Sequence, residues 1–307
     1  MKVLCIGLAV MDISARPINQ DAVWQEKQSI EEISIQLGGD AVNQCVYLNK
    51  LGMEPGLNIC VGPDSTGEML KGALAQQGID TSQIRVREDS RTGTSLVVIN
   101  REGERRIFSA TGAERLLRME DLPYPFPADL KAISLASLFG LDNLERNGLE
   151  DYLREARQQG ILVFADAIWD KYGLGLKGIS HLFPQIDYFL PSYYESATLA
   201  GTDTPEATAA CLRDLGVGTA IIKCGADGVF VDSPSFKGQV PAMKVDPLDT
   251  TGAGDCFVAC FISLLLKGYS VEEACRISCR ASSWSTLSLG ASTAKLSWDV
   301  IDSLQAD

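Results

Sequence analysis

The sequence predicts an α/β fold: a central, mostly parallel sheet with helices on both faces. Three observations carry that expectation. From Ala132 to Lys223, short apolar runs of strand length alternate with longer amphipathic runs of helix length, the pattern of strand–helix–strand units. The N-terminal run Val3 to Leu8 is apolar throughout, as a strand buried on both faces must be. Near the C-terminus, Asp249-Thr250-Thr251-Gly252-Ala253-Gly254-Asp255 leads into Cys256 to Leu266, where Ser263 is the one hydroxyl. An apolar run of that length after small residues reads as a buried helix.

At 307 residues the chain has room for one large domain or two small ones and for a sizeable core. Its formal net charge of −13 argues against nucleic acid or an anionic membrane as partner. The longest apolar run is too short to span a bilayer. The N-terminus reads as a strand rather than a signal peptide, so the expected location is the cytoplasm. Nine scattered cysteines, an odd number, fit free thiols in a reducing compartment. Cys256/Cys260 and Cys275/Cys279 each fall one helical turn apart, a spacing that suits either a metal pair or small core residues. The single histidine, His181, and the lack of a Gly-x-Ser-x-Gly elbow weigh against zinc or Ser-His-Asp chemistry.

In chain order, Asp12 falls just past the first strand, where ligands gather in open α/β sheets; a turn-forming Asp is the other reading. Ile13 to Ile18 and Glu31 to Leu37 read as half-buried strands. Gly38-Gly39 breaks the chain. Asp40 to Leu51 reads as a helix with Ala41, Val42, Cys45, Val46 and Leu48 inward, and Asn43 in its first turns carries both a donor and an acceptor. Leu57 to Val61 is the next strand. Gly62 to Gly67 opens a helix ending at Gly78; the spacing imitates a P-loop, but Glu68 stands where Lys is required. Thr92 to Asn100 and Glu104 to Ala110 alternate as a hairpin around Glu102-Gly103, giving a small second sheet with the two earlier strands. Pro123 to Pro127 is a stiff surface connection. Strands Ala132 to Leu138, Ile161 to Asp166, Tyr188 to Leu190 and Thr219 to Lys223 then alternate with helices such as Asn147 to Gln159 and Pro205 to Leu215. Gly228 to Asp232 and Lys237 to Val240 form a closing hairpin. No repeat or linker divides the chain, so 1–307 reads as one domain.

The chemistry concentrates at 252–255, where a helix begins. Amides there lack partners within the helix, and the macrodipole adds partial positive charge. Glycines let the backbone approach a ligand closely, so the turn reads as an anion site, with phosphate the common anion. Asp255 either caps the helix or takes a proton from a hydroxyl as it attacks a phosphoryl group. Gly173-Leu174-Gly175-Leu176-Lys177-Gly178 fits the dinucleotide fingerprint, the basis of an oxidoreductase alternative, but Ala167 to Tyr172 separates it from its strand.

Asp249 to Asp255 resembles the C-terminal signature of the ribokinase-like (PfkB) carbohydrate kinases. Gly38-Gly39-Asp40-Ala41-Val42-Asn43, with Leu51-Gly52 after it, resembles their N-terminal signature. Two independent motifs in the expected order extend the resemblance over essentially the whole chain. The resemblance implies a ribokinase-like fold in which about 13–37 and 92–110 form a lid over the substrate, often used for dimer contact. It implies an ATP-dependent kinase that transfers the γ-phosphoryl group to a sugar hydroxyl, with Asp255 as base and the amides of Gly252, Ala253 and Gly254 around the phosphoryl group. Substrate binding falls to Asp12, Gly38, Gly39, Asn43 and Asp166, and nucleotide binding to Lys223, Gly225 and Gly228. Ser282 to Ser292 would run beside the adenine. Glu195 would organise Mg²⁺ through water, in a segment where Ser192 replaces the family's Asn. A monovalent cation such as K⁺ would pair Asp249 and Thr251 with Ser288 to Ser292.

Family members that take phosphorylated sugars tend to carry a basic residue near Asp40. An acid there repels a second phosphate, which favours an unphosphorylated sugar or sugar acid. Arg105, Arg106 and Lys171 are the cations available to offset it. A nucleoside is the alternative acceptor, and a sugar-binding regulatory protein without catalysis the alternative function.

Overall fold

The computed structural model describes residues 2–18, 26–101 and 105–306. The first half runs β1 (Val3–Ile6), β2 (Val10–Arg16), β3 (Glu32–Gly38), α1 (Asp40–Lys50), β4 (Pro55–Asn58), β5 (Cys60–Val61), α2 (Ser65–Gln76), β6 (Arg85–Val86), β7 (Gly93–Ile99) and β8 (Arg105–Ala110). The second half runs β9 (Ala132–Leu138), α3 (Asp142–Glu145), α4 (Leu149–Gln158), β10 (Leu162–Ala167), α5 (Gly175–Ile179), β11 (Tyr188–Phe189), α6 (Tyr193–Ala200), α7 (Pro205–Asp214), β12 (Thr219–Lys223), β13 (Val229–Asp232), β14 (Lys237–Val240), α8 (Ala253–Leu266), α9 (Val271–Ser285) and α10 (Trp298–Ala306).

Eight strands form the large sheet in the order β14-β13-β12-β11-β10-β9-β1-β4. Strands β4 to β12 in that row are parallel, and the β13–β14 hairpin closes one edge antiparallel. In β1 every residue is buried, Val3 and Cys5 in one core and Leu4 and Ile6 in the other. The unbroken apolar run is therefore the signature of burial on both faces.

The first core also holds α1, α8 and α9. In α8 every side chain from Asp255 to Leu264 is buried. Phe261 of α8 stacks on Phe257 and meets Phe164 of β10 edge-on at 6.2 Å. Each such side chain contributes roughly 1.5–3 kcal/mol by leaving water. That packing pins the start of α8 over the C-terminal edge of the sheet.

A second sheet has the order β3-β2-β7-β8. Its register puts Gln36, Asp12, Ser95 and Ser109 in one cross-strand row, and Ile35, Ile13, Leu96 and Phe108 in the adjacent row on the opposite face. A polar and an apolar face result from period two.

Three boundaries differ from the sequence reading. Strand β2 begins at Val10, so Asp12 lies inside a strand paired on both sides, not in a turn after β1. Leu57 to Val61 is not one strand. Asn58 donates from Nδ2 to the Asp121 carbonyl at 2.7 Å, and Cys60–Val61 leaves the large sheet to pair with Arg85–Val86. Helix α4 starts at Leu149, because Gly148 is left-handed at φ 96°. The expected turn at Glu102-Gly103, and Glu104 beside it, lie outside the described residues.

Candidate functional site

Polar residues of three parallel strands gather toward the C-terminal edge of the large sheet. Strand β9 brings Ser134 and Ser137, β10 brings Asp166, and β12 brings Lys223. Helices α1 and α8 begin over the same edge.

Asp255 occupies the first turn of α8 and is 7% exposed. Asn43 Nδ2 donates to its Oδ2 at 2.9 Å and Gln44 Nε2 to its Oδ1 at 3.2 Å. Gln44 is itself held by Ser134 Oγ, which donates to its Oε1 at 2.7 Å. Burial and the nearby charge of Asp166 push the Asp255 carboxyl up to about 7, against the amides of Asn43 and Gln44 and the Lys223 ammonium, which favour its charged form. Its role is thus not that of a helix cap: both oxygens face α1. Asn43 is buried, and among the described residues its Oδ1 has no partner.

Gly252 starts α8 in the left-handed region, at φ 72°. A Cβ there would overlap the Ala291 carbonyl oxygen, so only glycine fits. Of the three amides read as an anion site, that of Ala253 closes a turn onto the Thr250 carbonyl at 3.3 Å. The bonds among the described residues include none from the amides of Gly252 and Gly254 to a loop carbonyl. The Lys223 ammonium sits 3.1 Å from the point a Cβ on Gly254 would take and donates to Asp166 Oδ2 at 2.5 Å. Asp166 and Lys223 are therefore one ion pair bridging β10 and the glycine turn at the start of α8. Burial alone would lower the lysine, but Asp166, Asp255 and Glu195 together hold it above its usual value.

Glu195 lies in the first turn of α6. Ser192, at the position of the family's Asn, caps that helix: its Oγ accepts from Glu195 N at 3.3 Å and donates to the Glu195 carboxylate. Its backbone bridges to Lys223. The hydroxyl thus holds the Glu195 carboxylate, which feels the charges of both Asp166 and Lys223. Removing it in Ser192→Ala is expected to cost about 1 kcal/mol of stability. The urea midpoint measures this; an unchanged midpoint would show that the cap is idle.

At the start of α1, Gly38 ends β3 and Gly39 caps the helix. The Asp12 carboxylate lies against the Cα of Gly38, where any side chain would overlap it. Burial raises Asp12, against a hydrogen bond from Ser95. Asp40 accepts from Ser137 Oγ at 3.1 Å. Burial and then the charges of Asp255 and Asp166 raise it well above the usual carboxylate range. Arg106 and Lys171 are exposed, and the Arg105 side chain lies outside the described residues.

Asp249 joins the turn to the chain beyond α9. Its Oδ1 accepts from Thr251 N at 2.9 Å and Thr251 Oγ1 at 2.7 Å, and its Oδ2 from Gly290 N at 2.8 Å. Gly225 and Gly228 flank the short turn after β12, which Cys224 N closes onto Gly228 O at 2.7 Å. The fingerprint glycines at 173–178 do other work. Asp170 accepts from Leu174 N at 3.0 Å and Gly175 N at 2.8 Å, holding a surface turn ahead of the short α5.

All nine cysteines are free, and among the described residues no cluster of three His, Cys, Asp or Glu side chains could hold a metal. No helix among them is long and apolar enough to cross a membrane. His181 pairs with the Glu145 carbonyl. Sequence reasoning missed Gln44, Ser95, Ser134 and Ser137. The available signal was two adjacent amides, Asn43-Gln44, in a helix whose neighbouring residues are apolar.

Known proteins match this arrangement across its length. The model of the pfkB family carbohydrate kinases matches residues 1–298. A ribokinase of Haemophilus influenzae is 28% identical over 279 residues, covering 85% of this chain and 84% of the relative. An aminoimidazole riboside kinase from Salmonella enterica, solved with aminoimidazole riboside and an ATP analog, superposes with a TM-score of 0.81 at 25% identity, covering 99% of each chain. A putative ribokinase II from E. coli, solved with ATP and Mg²⁺, superposes with a TM-score of 0.83 at 20% identity over 99% of each chain. With the family model spanning nearly the whole chain, this protein belongs to the pfkB family of carbohydrate kinases.

Proposed function

We propose that this protein is an ATP-dependent sugar kinase in which Asp255 takes the proton of the acceptor hydroxyl. The observation that carries the reading is a buried carboxylate, raised to about 7, in the first turn of the helix that begins at the Gly252 anion turn. A base poised near the working pH suits proton removal. In the step, the acceptor oxygen forms a bond to the γ-phosphorus, the bond from phosphorus to the β–γ bridging oxygen breaks, and the hydroxyl proton passes to Asp255. Asn43 and Gln44 orient the carboxylate. Asp12, the Gly38-Gly39 backbone and Asn43 hold the sugar.

The amides of Gly252 and Gly254, with Lys223 beside them, stabilise charge on the moving phosphoryl group. Asp166 keeps Lys223 in place. Gly225 and Gly228 shape the nucleotide side. The glycine turn and the ammonium beside it fit a polyphosphate. Mg²⁺, which accompanies ATP in the E. coli neighbour, would neutralise phosphate charge; Glu195 would hold it through water, since magnesium leans on few carboxylates. Asp249 and Thr251 remain the residues that would meet a monovalent cation.

Asp12 and Asp40 offer carboxyl groups rather than cations at the acceptor end, which supports an unphosphorylated sugar over a sugar phosphate. The second sheet serves as the lid, its polar face toward the sugar. Its apolar row supports a homodimer through the lid: Ile35 is 52% and Phe108 60% exposed. Phe108→Asp is then expected to turn a dimer into a monomer in sedimentation experiments. The nine free thiols support a cytoplasmic location. ADP release from Mg-ATP against neutral sugars, sugar acids, sugar phosphates and nucleosides tests the reading. Turnover on an unphosphorylated sugar supports it; binding without turnover on any acceptor would instead indicate a regulatory protein.

A further inference from the structure

The segment after α9 is fastened to α1. Lys50, the last residue of α1, donates from its ammonium to the Ser292 carbonyl at 2.6 Å and the Ala294 carbonyl at 2.8 Å. One turn earlier, the buried Tyr47 donates its hydroxyl to the Ala291 carbonyl at 3.2 Å. The Lys50 ammonium lies 5.2 Å from the centroid of the Tyr47 ring. Among the described residues no carboxylate pairs with Lys50. Its charge is directed at carbonyl dipoles, and burial pulls its pKa below the usual lysine value.

The other side of this segment bears on the anion turn. The Ala291 carbonyl fills the place a Cβ on Gly252 would need. Gly290 N–H holds Asp249, whose other oxygen holds Thr251. Helix α1 also grips both oxygens of Asp255 through Asn43 and Gln44. One rigid element therefore touches the base directly and reaches the phosphate-facing turn through three carbonyls. Reacting groups must be held to within a fraction of an ångström, and a misplacement of about 1 Å costs on the order of 100-fold in rate.

We propose that Lys50 is a positioning residue: its ammonium is a built-in cation that binds the 292 and 294 carbonyls and so fixes the Gly252–Gly254 turn relative to Asp255. Only the kinetic arm of the test rests on the kinase reading. Amide hydrogen exchange and steady-state kinetics on Lys50→Met, Lys50→Arg and the milder Tyr47→Phe decide it. In Lys50→Met, exchange in both 289–294 and 249–255 is expected to rise about tenfold, with the strands of the second sheet unchanged. Its kcat falls about 10- to 100-fold while the acceptor KM moves less than threefold. Lys50→Arg restores most of both, and Tyr47→Phe shifts exchange the same way by less. Exchange confined to 289–294, wild-type kcat in Lys50→Met, or equal changes in kcat and KM would each overturn the proposal. If the wild-type protein releases no ADP with any acceptor, the kinase reading fails, and the exchange arm still decides whether Lys50 fixes the turn.

Discussion

Asp255→Asn is expected to lower kcat on the order of 10²–10⁴-fold while leaving the affinity for ATP and sugar nearly unchanged. The substitution keeps size and one oxygen for the amides of α1, but an amide cannot accept the hydroxyl proton. The same change should stabilise the fold. The folded-state pKa of Asp255 is raised to about 7, above the ordinary carboxylate value, so the folded state holds the proton more tightly than the unfolded chain. Stability is then lost as pH climbs from the ordinary value toward 7, and the loss is complete above 7. At pH 8 the Asn variant is therefore expected to melt roughly 2–5 °C higher than wild type, and at pH 4 the gain should vanish. A variant with near wild-type turnover would remove Asp255 from the chemistry. A melting temperature lowered at pH 8 would mean that its carboxylate is a structural anchor.

Gly252→Ala should be nearly as damaging to kcat, on the order of 10²–10³-fold. The added methyl overlaps the Ala291 carbonyl oxygen, and φ at this position is 72°. The turn has to shift, and with it the amides proposed to face the phosphoryl group. Gly268, just beyond α8, is the control: its φ is 91°, but nothing lies within 4 Å of the added methyl. Gly268→Ala carries only the left-handed penalty, about 1 kcal/mol of stability, with kcat unchanged. Equal kinetic effects of the two substitutions would mean that helix strain, not the anion turn, is being measured.

The large sheet was legible because burial on both faces leaves unbroken apolar runs. Ala132–Leu138 and Thr219–Lys223 coincide with strands β9 and β12. The strand expected at Ile13 to Ile18 spans Val10–Arg16 instead, since Val10 and Met11 continue the apolar stretch of β1 and hide where one strand ends and the next begins. The split at Ile59 was invisible because it depends on Asn58 meeting a carbonyl 63 residues away. In the site, Asp255 and Gly252 were legible from local motif chemistry, because a helix N-terminus advertises itself. Their partners were not. Gln44 reaches Asp255 across 211 residues and Lys223 reaches Asp166 across 57, and no local pattern encodes such pairings. Asp166 and Lys223, expected at separate ligands, form one charge pair in the fold.

The most direct measurement is kcat/KM for the best acceptor between pH 5 and 9. Asp255 as base requires a rise with unit slope that levels off near pH 7, because only the ionised carboxylate can take the proton. The residual activity of Asp255→Asn should lack that limb. A flat wild-type profile, or the same limb persisting in Asp255→Asn, would show that the proton goes elsewhere.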